Sequence, residues 1–221
     1  QHETLVKEKR LKFSFSNLRK ALKEIATIRS TVFYTLAAGF ISSAFVGFLN
    51  SSQQIFQIQF ELGEHFPIYF AAIALSVGAA SFVNGKLVMR YGMQNMVRIA
   101  VLAIVLISVV FFILISTILT TPSLTIFMAY LLSTVFFVGI LFGNLNSMAM
   151  EPLGHMAGIG AAIVGSISTF ISVPFGTYIG MQYNGTVEPL VFGFLIFGSL
   201  TAITIFLAKG RNLFRFTKFH K

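Results

Sequence analysis

The chain contains no cysteine and few charged residues. The absence of cysteine among its 221 residues excludes disulfides, thiol catalysis and thiolate metal sites. Charged residues make up 10% of the chain, against about 25% in soluble domains. Hydrophobic residues make up 56%, and the mean hydropathy is +0.83. Lipid must therefore be the solvent for much of this chain. The histidines are scattered through tails and loops, so no metal site is expected (His2, His65, His155 and His220).

The chain also lacks the motifs of several other membrane protein classes. It has no Asn-Pro-Ala signature of an aquaporin and no P-loop for ATP-driven transport. Gly165-Ser-Ile-Ser168 lacks the final glycine of a rhomboid-type nucleophile turn, and no histidine lies within a predicted span. We therefore expect neither catalytic residues nor a cofactor, so the protein is predicted not to be an enzyme. A membrane enzyme stays the rival class.

Every lysine and arginine lies on one side of six apolar segments. Eight precede the first segment, three lie between the second and third, and five follow the sixth. The loops on the other side carry only Glu61, Glu64 and Glu188. Because cytoplasmic loops hold the excess of basic residues, both termini are predicted to be cytoplasmic. Topology therefore explains the net charge of +9 better than nucleic-acid binding does, with attraction to anionic lipid as an alternative.

Six transmembrane helices are predicted. Each segment is long enough to cross a hydrocarbon core of about 30 Å, and none alternates as a barrel strand would. The predicted spans are 31–50, 66–85, 99–119, 124–147, 157–181 and 187–208. The fold class is thus an all-α membrane protein. Residues 1–30 are predicted to be a cytoplasmic basic amphipathic linker, 31–208 the membrane domain and 209–221 a basic cytoplasmic tail. The start at Gln1 without a signal-peptide pattern favours a fragment.

Small residues recur at helical spacing in three of the spans. Such residues let membrane helices approach closely, so these three spans are predicted to lie inside the bundle, either packed statically or sliding during function. The third span has almost no polar side chains and is expected to face lipid. The recurring positions are Gly39, Ser43 and Gly47 in the first span; Gly139, Gly143 and Ser147 in the fourth; and Ser168, Ser172, Gly176, Gly180, with Gly158, Ala162 and Ser166, in the fifth.

The segment between the second and third spans carries a family resemblance. Gly85-Lys-Leu-Val-Met-Arg90-Tyr-Gly92 resembles the Gly-x-x-x-Asp-Arg-x-Gly-Arg-Lys loop of the major facilitator superfamily. Met89 replaces the acidic residue and Gln94 stands where a basic residue is common, as in the eroded second-half copy. The glycines would permit a tight turn, and Arg90 could donate to the carbonyls that end a neighbouring helix. Gly85, Arg90 and Gly92 are therefore predicted to form a cytoplasmic latch.

Three further segments extend the resemblance over nearly the whole chain. Glu3-Thr4-Leu5 and the basic stretch after it look like the central loop of Bcr/CflA-type drug:proton antiporters. The stretch from Gly143 to Gly158 resembles that group's tenth helix running into the eleventh. Ser172-Val-Pro174-Phe-Gly176 is similar to the Pro-Gly kink of the antiporter motif. The resemblance implies that this chain supplies helices seven to twelve, the C-terminal half, and that the N-terminal six-helix half is its missing partner.

Candidate functional residues follow from the spans and the resemblance. Glu151 and His155 are candidates for gating or a proton-linked role, or for a simple salt bridge. Pro174 and Gly176 mark a helix kink, which is a hinge or a static bend. The resemblance places the acidic proton-coupling residues in the absent half. Polar and aromatic side chains in the packed spans are candidates for the substrate cavity: Tyr34, Phe45, Asn50, Phe137 and Asn144.

The predicted function is proton-coupled export of a small lipophilic or cationic compound by alternating access in a bacterial inner membrane. The open alternatives are an uptake symporter of the same superfamily and a half-size transporter that works as a homodimer. The predicted partners are the missing half, the substrate, protons and the lipid bilayer.

Overall fold

The structure is a computed structural model that describes residues 15–119 and 121–209, without the side chains of Asn17 and Lys209. The resemblance seen in Glu3-Thr4-Leu5, the first part of the basic linker and nearly all of the basic tail lie outside the described residues. Within them the chain is helical throughout and forms no strand.

The described residues form seven α-helices, and three short helical segments connect or extend them. A π-helical segment, Ile55–Gln59, continues the second helix, and short 3₁₀ segments lie at Gly63–His65 and Glu151–Met156. The α-helices are α1 (Phe15–Thr27), α2 (Arg29–Gln54), α3 (Phe66–Tyr91), α4 (Met93–Thr117), α5 (Leu124–Met150), α6 (Ala157–Met181) and α7 (Glu188–Lys209).

The six helices α2 to α7 coincide with the six predicted spans. Five continuous helical segments of the described chain are long and apolar enough to cross a membrane, and one of them, Leu124–Met181, contains both α5 and α6. The prediction of an all-α, multi-pass membrane protein is confirmed. The side on which each terminus lies stays a prediction, as do the domain boundaries.

The turn expected at Gly85 is not formed, because α3 continues through this residue to Tyr91. The chain reverses at Gly92 alone, which has a φ of 76°. Glycine adopts that conformation without the steric penalty of other residues. One residue therefore separates α3 from α4.

Four helices form a closed ring, and the other two long helices attach to it. α2 packs on α5 and α7, and α4 packs on the same two helices. α6 packs mainly on α2, and α3 packs mainly on α5. The buried core lies inside the ring, where Ile41, Ile104, Leu131, Leu141 and Phe194 are almost fully excluded from the surface.

The predicted interior position of the small residues is correct in part. Gly39 and Gly47 of α2 lie against Ile171 and Ile179 of α6, and Gly139 of α5 lies against α3. These glycines allow the close approach that small residues give membrane helices. Ser43, Ser172, Gly176 and Gly180 are also buried and Ser168 is half-buried, whereas five of the positions lie on the surface of the described bundle: Gly143 and Ser147 of α5, and Gly158, Ala162 and Ser166 of α6.

The most exposed long helix is α3, not the third predicted span, α4. In α3 only Ile73 and Ala80 are buried. In α4 one side is buried in the ring, while the other exposes large apolar residues such as Leu102 and Leu106. The sequence of α4 is therefore apolar on both sides, because one side is packed in the ring and the other is exposed.

Hydrogen bonds from side chains connect the ends of different helices at both ends of the bundle. At the start of α2, Nε and Nη2 of Arg29 donate to the carbonyl of Leu207 in the last turn of α7, over 3.1 and 2.9 Å. At the other end, the hydroxyl of Tyr183 donates to the carbonyl of Gln54 over 3.3 Å. Desolvation raises the pKa of this Tyr183 phenol.

Candidate functional site

The contacting helices α2 and α5 share a surface that the described chain does not cover. On α2, Ser42 and Phe45 are half-buried and Leu49 is exposed, and their spacing of three and four residues puts them on one side. On α5, Phe142 is half-buried, and Gly143, Asn146 and Ser147 are exposed. We call this surface the open face, and it consists of Ser42, Phe45, Leu49, Phe142, Gly143, Asn146 and Ser147.

Aromatic contacts join the two helices at the open face. The ring of Phe45 meets that of Phe142 edge to face, with centroids 5.4 Å apart. Beneath it, the buried Phe48 lies near Phe45 at 6.1 Å and stacks on Phe70 of α3 at 6.2 Å. Such rings offer a bulky apolar ligand contact area with few fixed polar groups.

A pair of asparagines lies where α5 meets α3. Asn144 Nδ2 donates to Asn84 Oδ1 over 2.7 Å and to the carbonyl of Ile140 over 2.8 Å. Asn144 is 2% exposed and is thus a buried amide with a partner on another helix. Its role in the substrate cavity stays a prediction. Phe137, on the same helix, is half-buried and meets only its neighbour Phe136 among the ring contacts of the described residues.

The other two predicted cavity residues lie apart from the open face. Asn50 is exposed on α2 and packs against Gly180 of α6, where a methyl group on the glycine would come within 2.7 Å of Asn50 Cβ. Tyr34 is 7% exposed and lies close enough to Arg98 and Glu151 to interact with both electrostatically. The structure therefore does not bring the five predicted cavity residues together.

Arg98 is a charged side chain that the sequence prediction assigned to a loop. It lies inside α4, six residues after the turn at Gly92, and its Nη2 atom is buried without a hydrogen-bond partner among the described residues. A buried charge of this kind is costly unless it is paired. It interacts electrostatically with Tyr34 of α2.

The predicted latch residues lie at one end of α3 and are exposed or half-exposed. The guanidinium of Arg90 lies over the ring of Tyr91 at 5.4 Å, and Gly92 makes the turn. Within the described part of the chain, the role expected of Arg90, donation to carbonyls that end another helix, is performed by Arg29. The latch stays a prediction.

The two predicted gating residues have different surroundings. His155 Nε2 lies 2.8 Å from Glu24 Oε1 of α1, and both side chains are about half exposed. This ion pair joins α1 to the 3₁₀ segment that precedes α6. Glu151, at the start of that segment, is exposed. The salt-bridge alternative therefore has a structural basis for His155, whereas a proton role stays a prediction for both.

The predicted kink lies where α6 approaches α2 most closely. α6 is helical through Pro174, and Gly176 lies against Val46 and the carbonyl of Ser43. A methyl group at Gly176 would lie 2.5 Å from Val46 Cβ. Glycine is thus required by the helix approach, while the hinge remains a prediction.

Two helices beside the open face expose stripes of small residues. At Gly78 and Gly85 of α3, and at Gly158 and Gly165 of α6, an added Cβ would meet nothing within 4 Å. We call these surfaces the α3 stripe (Ala74, Gly78, Ser81 and Gly85) and the α6 stripe (Gly158, Ala161, Ala162, Gly165, Ser166 and Thr169), all of whose members are exposed.

Sequence reasoning missed Asn84, Phe142 and Arg98. A signal existed for Asn84, because it is the only amide in the second predicted span. Arg98 stands one residue before the third predicted span, so a small shift of that boundary would have placed it in a helix. Phe142 is one of 26 phenylalanines, and nothing in the sequence distinguishes it.

Two curated relatives match most of the chain. The uncharacterized MFS-type transporter YdgK of Bacillus subtilis is 24% identical over 201 residues, which cover 90% of this chain and 49% of that protein. The bicyclomycin resistance protein homolog of Haemophilus influenzae is 23% identical over 216 residues, or 96% of this chain and 52% of that protein. This chain is a homologue of major facilitator transporters. The resemblance inferred from its motifs is thereby confirmed.

The chain spans about half the length of the curated relatives it matches. No protein-family model matches it, and no solved structure matches it at a significant level. Homology and fold agree on a multi-pass membrane protein related to transporters.

Proposed function

We propose that this chain is the C-terminal six-helix half of a proton-coupled exporter that acts on small lipophilic or cationic compounds by alternating access. The observation that carries the proposal is the match to two transporter-related proteins of about twice its length, one of them named for bicyclomycin resistance. In this proposal the protein is a transporter of a bacterial inner membrane and not an enzyme, and both described ends of the bundle lie on the cytoplasmic side.

The open face supports a role in substrate contact. Its two rings, Phe45 and Phe142, supply apolar contact area, and Asn146 and Ser147 supply exposed polar groups beside them. Transporters of this kind bind substrate near the membrane midplane, between repeated halves. A surface of this composition on the contacting helices α2 and α5 is suited to form one wall of such a site.

The small stripes support docking of a second bundle. Glycine and alanine on a membrane-helix surface let another helix approach closely, and that approach supplies the packing energy of the interface. The α3 and α6 stripes lie on the two helices beside the open face. A partner half that packs on both stripes would enclose the open face between the halves.

A transport assay on the protein encoded by the complete gene tests whether substrate is exported or taken up. Expressed in bacteria that lack their main efflux pumps, it should lower the steady-state accumulation of a fluorescent lipophilic cation, and an uncoupler should abolish the effect. Accumulation that rises on expression would favour the uptake symporter. Export that an uncoupler leaves unchanged would overturn proton coupling.

A matched pair of phenylalanine variants tests the open face. Phe142→Ala removes a ring that contacts Phe45 at 5.4 Å, and export should fall several-fold. Phe112→Ala removes a half-buried ring that contacts Phe192 at 5.7 Å on another side of the bundle. If both variants lose the same activity at equal membrane abundance, the open face does not contact substrate.

The homodimer alternative is tested with the 221-residue chain expressed alone. Export by that chain, with a cross-link between two copies through cysteines placed at Gly165, would favour a half-size homodimer. If the 221-residue chain exports only when the N-terminal half is expressed together with it, the result supports the proposal.

A further inference from the structure

The helix α1 has four different sides. At about 100° per residue, the buried or half-buried Leu18, Ala21 and Ile25 lie on the side that packs against α2 and α6. Next to this side, the exposed Phe15, Leu22 and Ala26 fall within a sector of about 40°. They form an exposed apolar strip, in which Phe15 is 80% and Leu22 44% exposed.

Basic residues occupy the neighbouring sector. Arg19, Lys23 and Lys20 are exposed and follow the apolar strip around the helix over a sector of about 100°. The acidic residue of the helix, Glu24, lies beyond them and is engaged by His155 at 2.8 Å. Around the helix axis, the side that contacts the bundle is therefore followed by the apolar strip, then by the basic sector, and then by Glu24 with its ion pair to His155.

The position of α1 fixes which environment this surface meets. α1 ends at Thr27 and the membrane-crossing α2 begins at Arg29, so only Ile28 separates them. The Glu24–His155 ion pair holds α1 against the end of the bundle from which α6 starts. α1 is thus held at the entry of a membrane helix, where the bilayer headgroups begin.

We propose that α1 is an anionic-lipid binding surface, in which Phe15, Leu22 and Ala26 enter the boundary between headgroups and acyl chains while Arg19, Lys20 and Lys23 bind lipid phosphates. A helix with an apolar strip bordered by basic residues lies in the membrane interface in this way. Charge complementarity selects anionic lipid as the occupant, since three cations border the strip. The proposal does not depend on what the protein transports.

A single tryptophan can report the contact, because the chain contains no tryptophan of its own. The 221-residue chain carrying Leu22→Trp is reconstituted in vesicles of zwitterionic phosphatidylcholine with increasing phosphatidylglycerol. One of the two lipids is brominated at a time, so that quenching of the tryptophan fluorescence shows which lipid contacts the indole ring. Brominated phosphatidylglycerol should quench at least about threefold more strongly per mole than brominated phosphatidylcholine, since each basic residue near the surface contributes about 1 kcal/mol.

Charge variants show whether the lipid preference comes from the basic sector of α1 or from basic residues anywhere in the chain. In the Leu22→Trp chain, Lys23→Gln should lower the phosphatidylglycerol preference, and adding Arg19→Gln and Lys20→Gln should lower it further. The matched control is Lys86→Gln, an exposed lysine over the ring of Phe82 on α3, which should leave the preference unchanged. Raising the salt concentration should weaken the preference in the parent only.

Two results would overturn the proposal. Quenching by both lipids to the same extent, unaffected by Lys23→Gln, would show an apolar contact without headgroup recognition. No quenching by either lipid would show that α1 faces water or protein. In that case a cross-link from Leu22→Cys to another part of the complete protein would identify a protein partner as the occupant.

Discussion

The contact between Gly176 and α2 gives the sharpest stability prediction. Gly176→Ala adds a methyl group 2.5 Å from Cβ and Cγ1 of Val46 and 2.9 Å from the carbonyl oxygen of Ser43. The first of these atoms belongs to the branch point of a stiff side chain and the last to the backbone, so neither can move without separating the two helices. Overpacking of this kind typically costs about 1–3 kcal/mol, and we expect the upper half of that range here.

The methyl group also has a favourable effect that must be subtracted. Alanine is up to about 1 kcal/mol better than glycine inside a helix. The net loss for Gly176→Ala should be about 1–2 kcal/mol, or a fall in Tm of about 2–8 °C for a chain of this size. The assay is thermal unfolding of the detergent-purified protein at one fixed scan rate, because membrane proteins often unfold irreversibly.

Gly165→Ala is the control on the same helix. A Cβ at Gly165 meets nothing within 4 Å, so only the gain in helix propensity remains. Its Tm should equal or exceed that of the parent. If Gly176→Ala and Gly165→Ala have the same Tm, the close approach of α6 to α2 does not limit stability, and the steric clash expected at Gly176 is relieved without cost.

Three further predictions concern hydrogen bonds and the exposed stripe. Asn144→Leu removes the interhelical bond to Asn84 and should cost about 0.6 kcal/mol, at most about 1.7, whereas Asn146→Leu, whose amide bonds only within its own helix, should leave Tm unchanged; equal losses would contradict this. Arg29→Gln removes two charge-assisted bonds to the end of α7, so hydrogen exchange in the last turn of α7 should accelerate while α4 is unaffected. Gly165→Leu should abolish export by the complete protein without lowering its Tm, and full export would rule out docking on the α6 stripe.

The helices could be predicted from the sequence because one strong physical rule decides them. In lipid every backbone group must bond within its own segment, so a run of about twenty apolar residues has a single structural outcome. All six predicted spans are helices in the structure. The ends were less certain, since a helix can continue past the membrane boundary. This is why Gly85 lies in α3 and Arg98 in α4.

The candidate site could be predicted only in part. Asn144 was identified as a polar residue of a packed span, and the structure places it at an interhelical hydrogen bond with Asn84. Phe142 was not identified, since an abundant residue type carries no positional signal. Tyr34 and Asn50 were grouped with Phe45 as polar or aromatic side chains of a packed span. Tyr34 lies on the same side of α2 as Phe45 but three turns away along the helix, and Asn50 lies on another side, against Gly180 of α6.

Small residues illustrate why pattern alone does not distinguish a filled interface from an empty one. Gly176 and Gly165 stand in the same helix, Gly176 within a predicted stripe of small residues and Gly165 next to Ser166 of another. Gly176 is pressed against α2, while Gly165 meets nothing within 4 Å. Spacing predicts that a helix can be approached closely, but which partner approaches is decided by the rest of the assembly.

The chemistry of the exposed surfaces divides them by their expected neighbour. Leu75 and Phe82 on α3, and Leu102 and Leu106 on α4, are large apolar side chains more than 60% exposed, which suits lipid chains. The exposed glycines of the α3 and α6 stripes offer lipid little contact area but allow a helix to pack closely. The open face between these stripes combines rings with amide and hydroxyl groups, which neither lipid nor a packed helix would use fully. In the proposed function, this order of small, mixed and small side chains lets two bundles pack on the stripes and hold a ligand at the open face between them, and the large apolar surfaces face lipid.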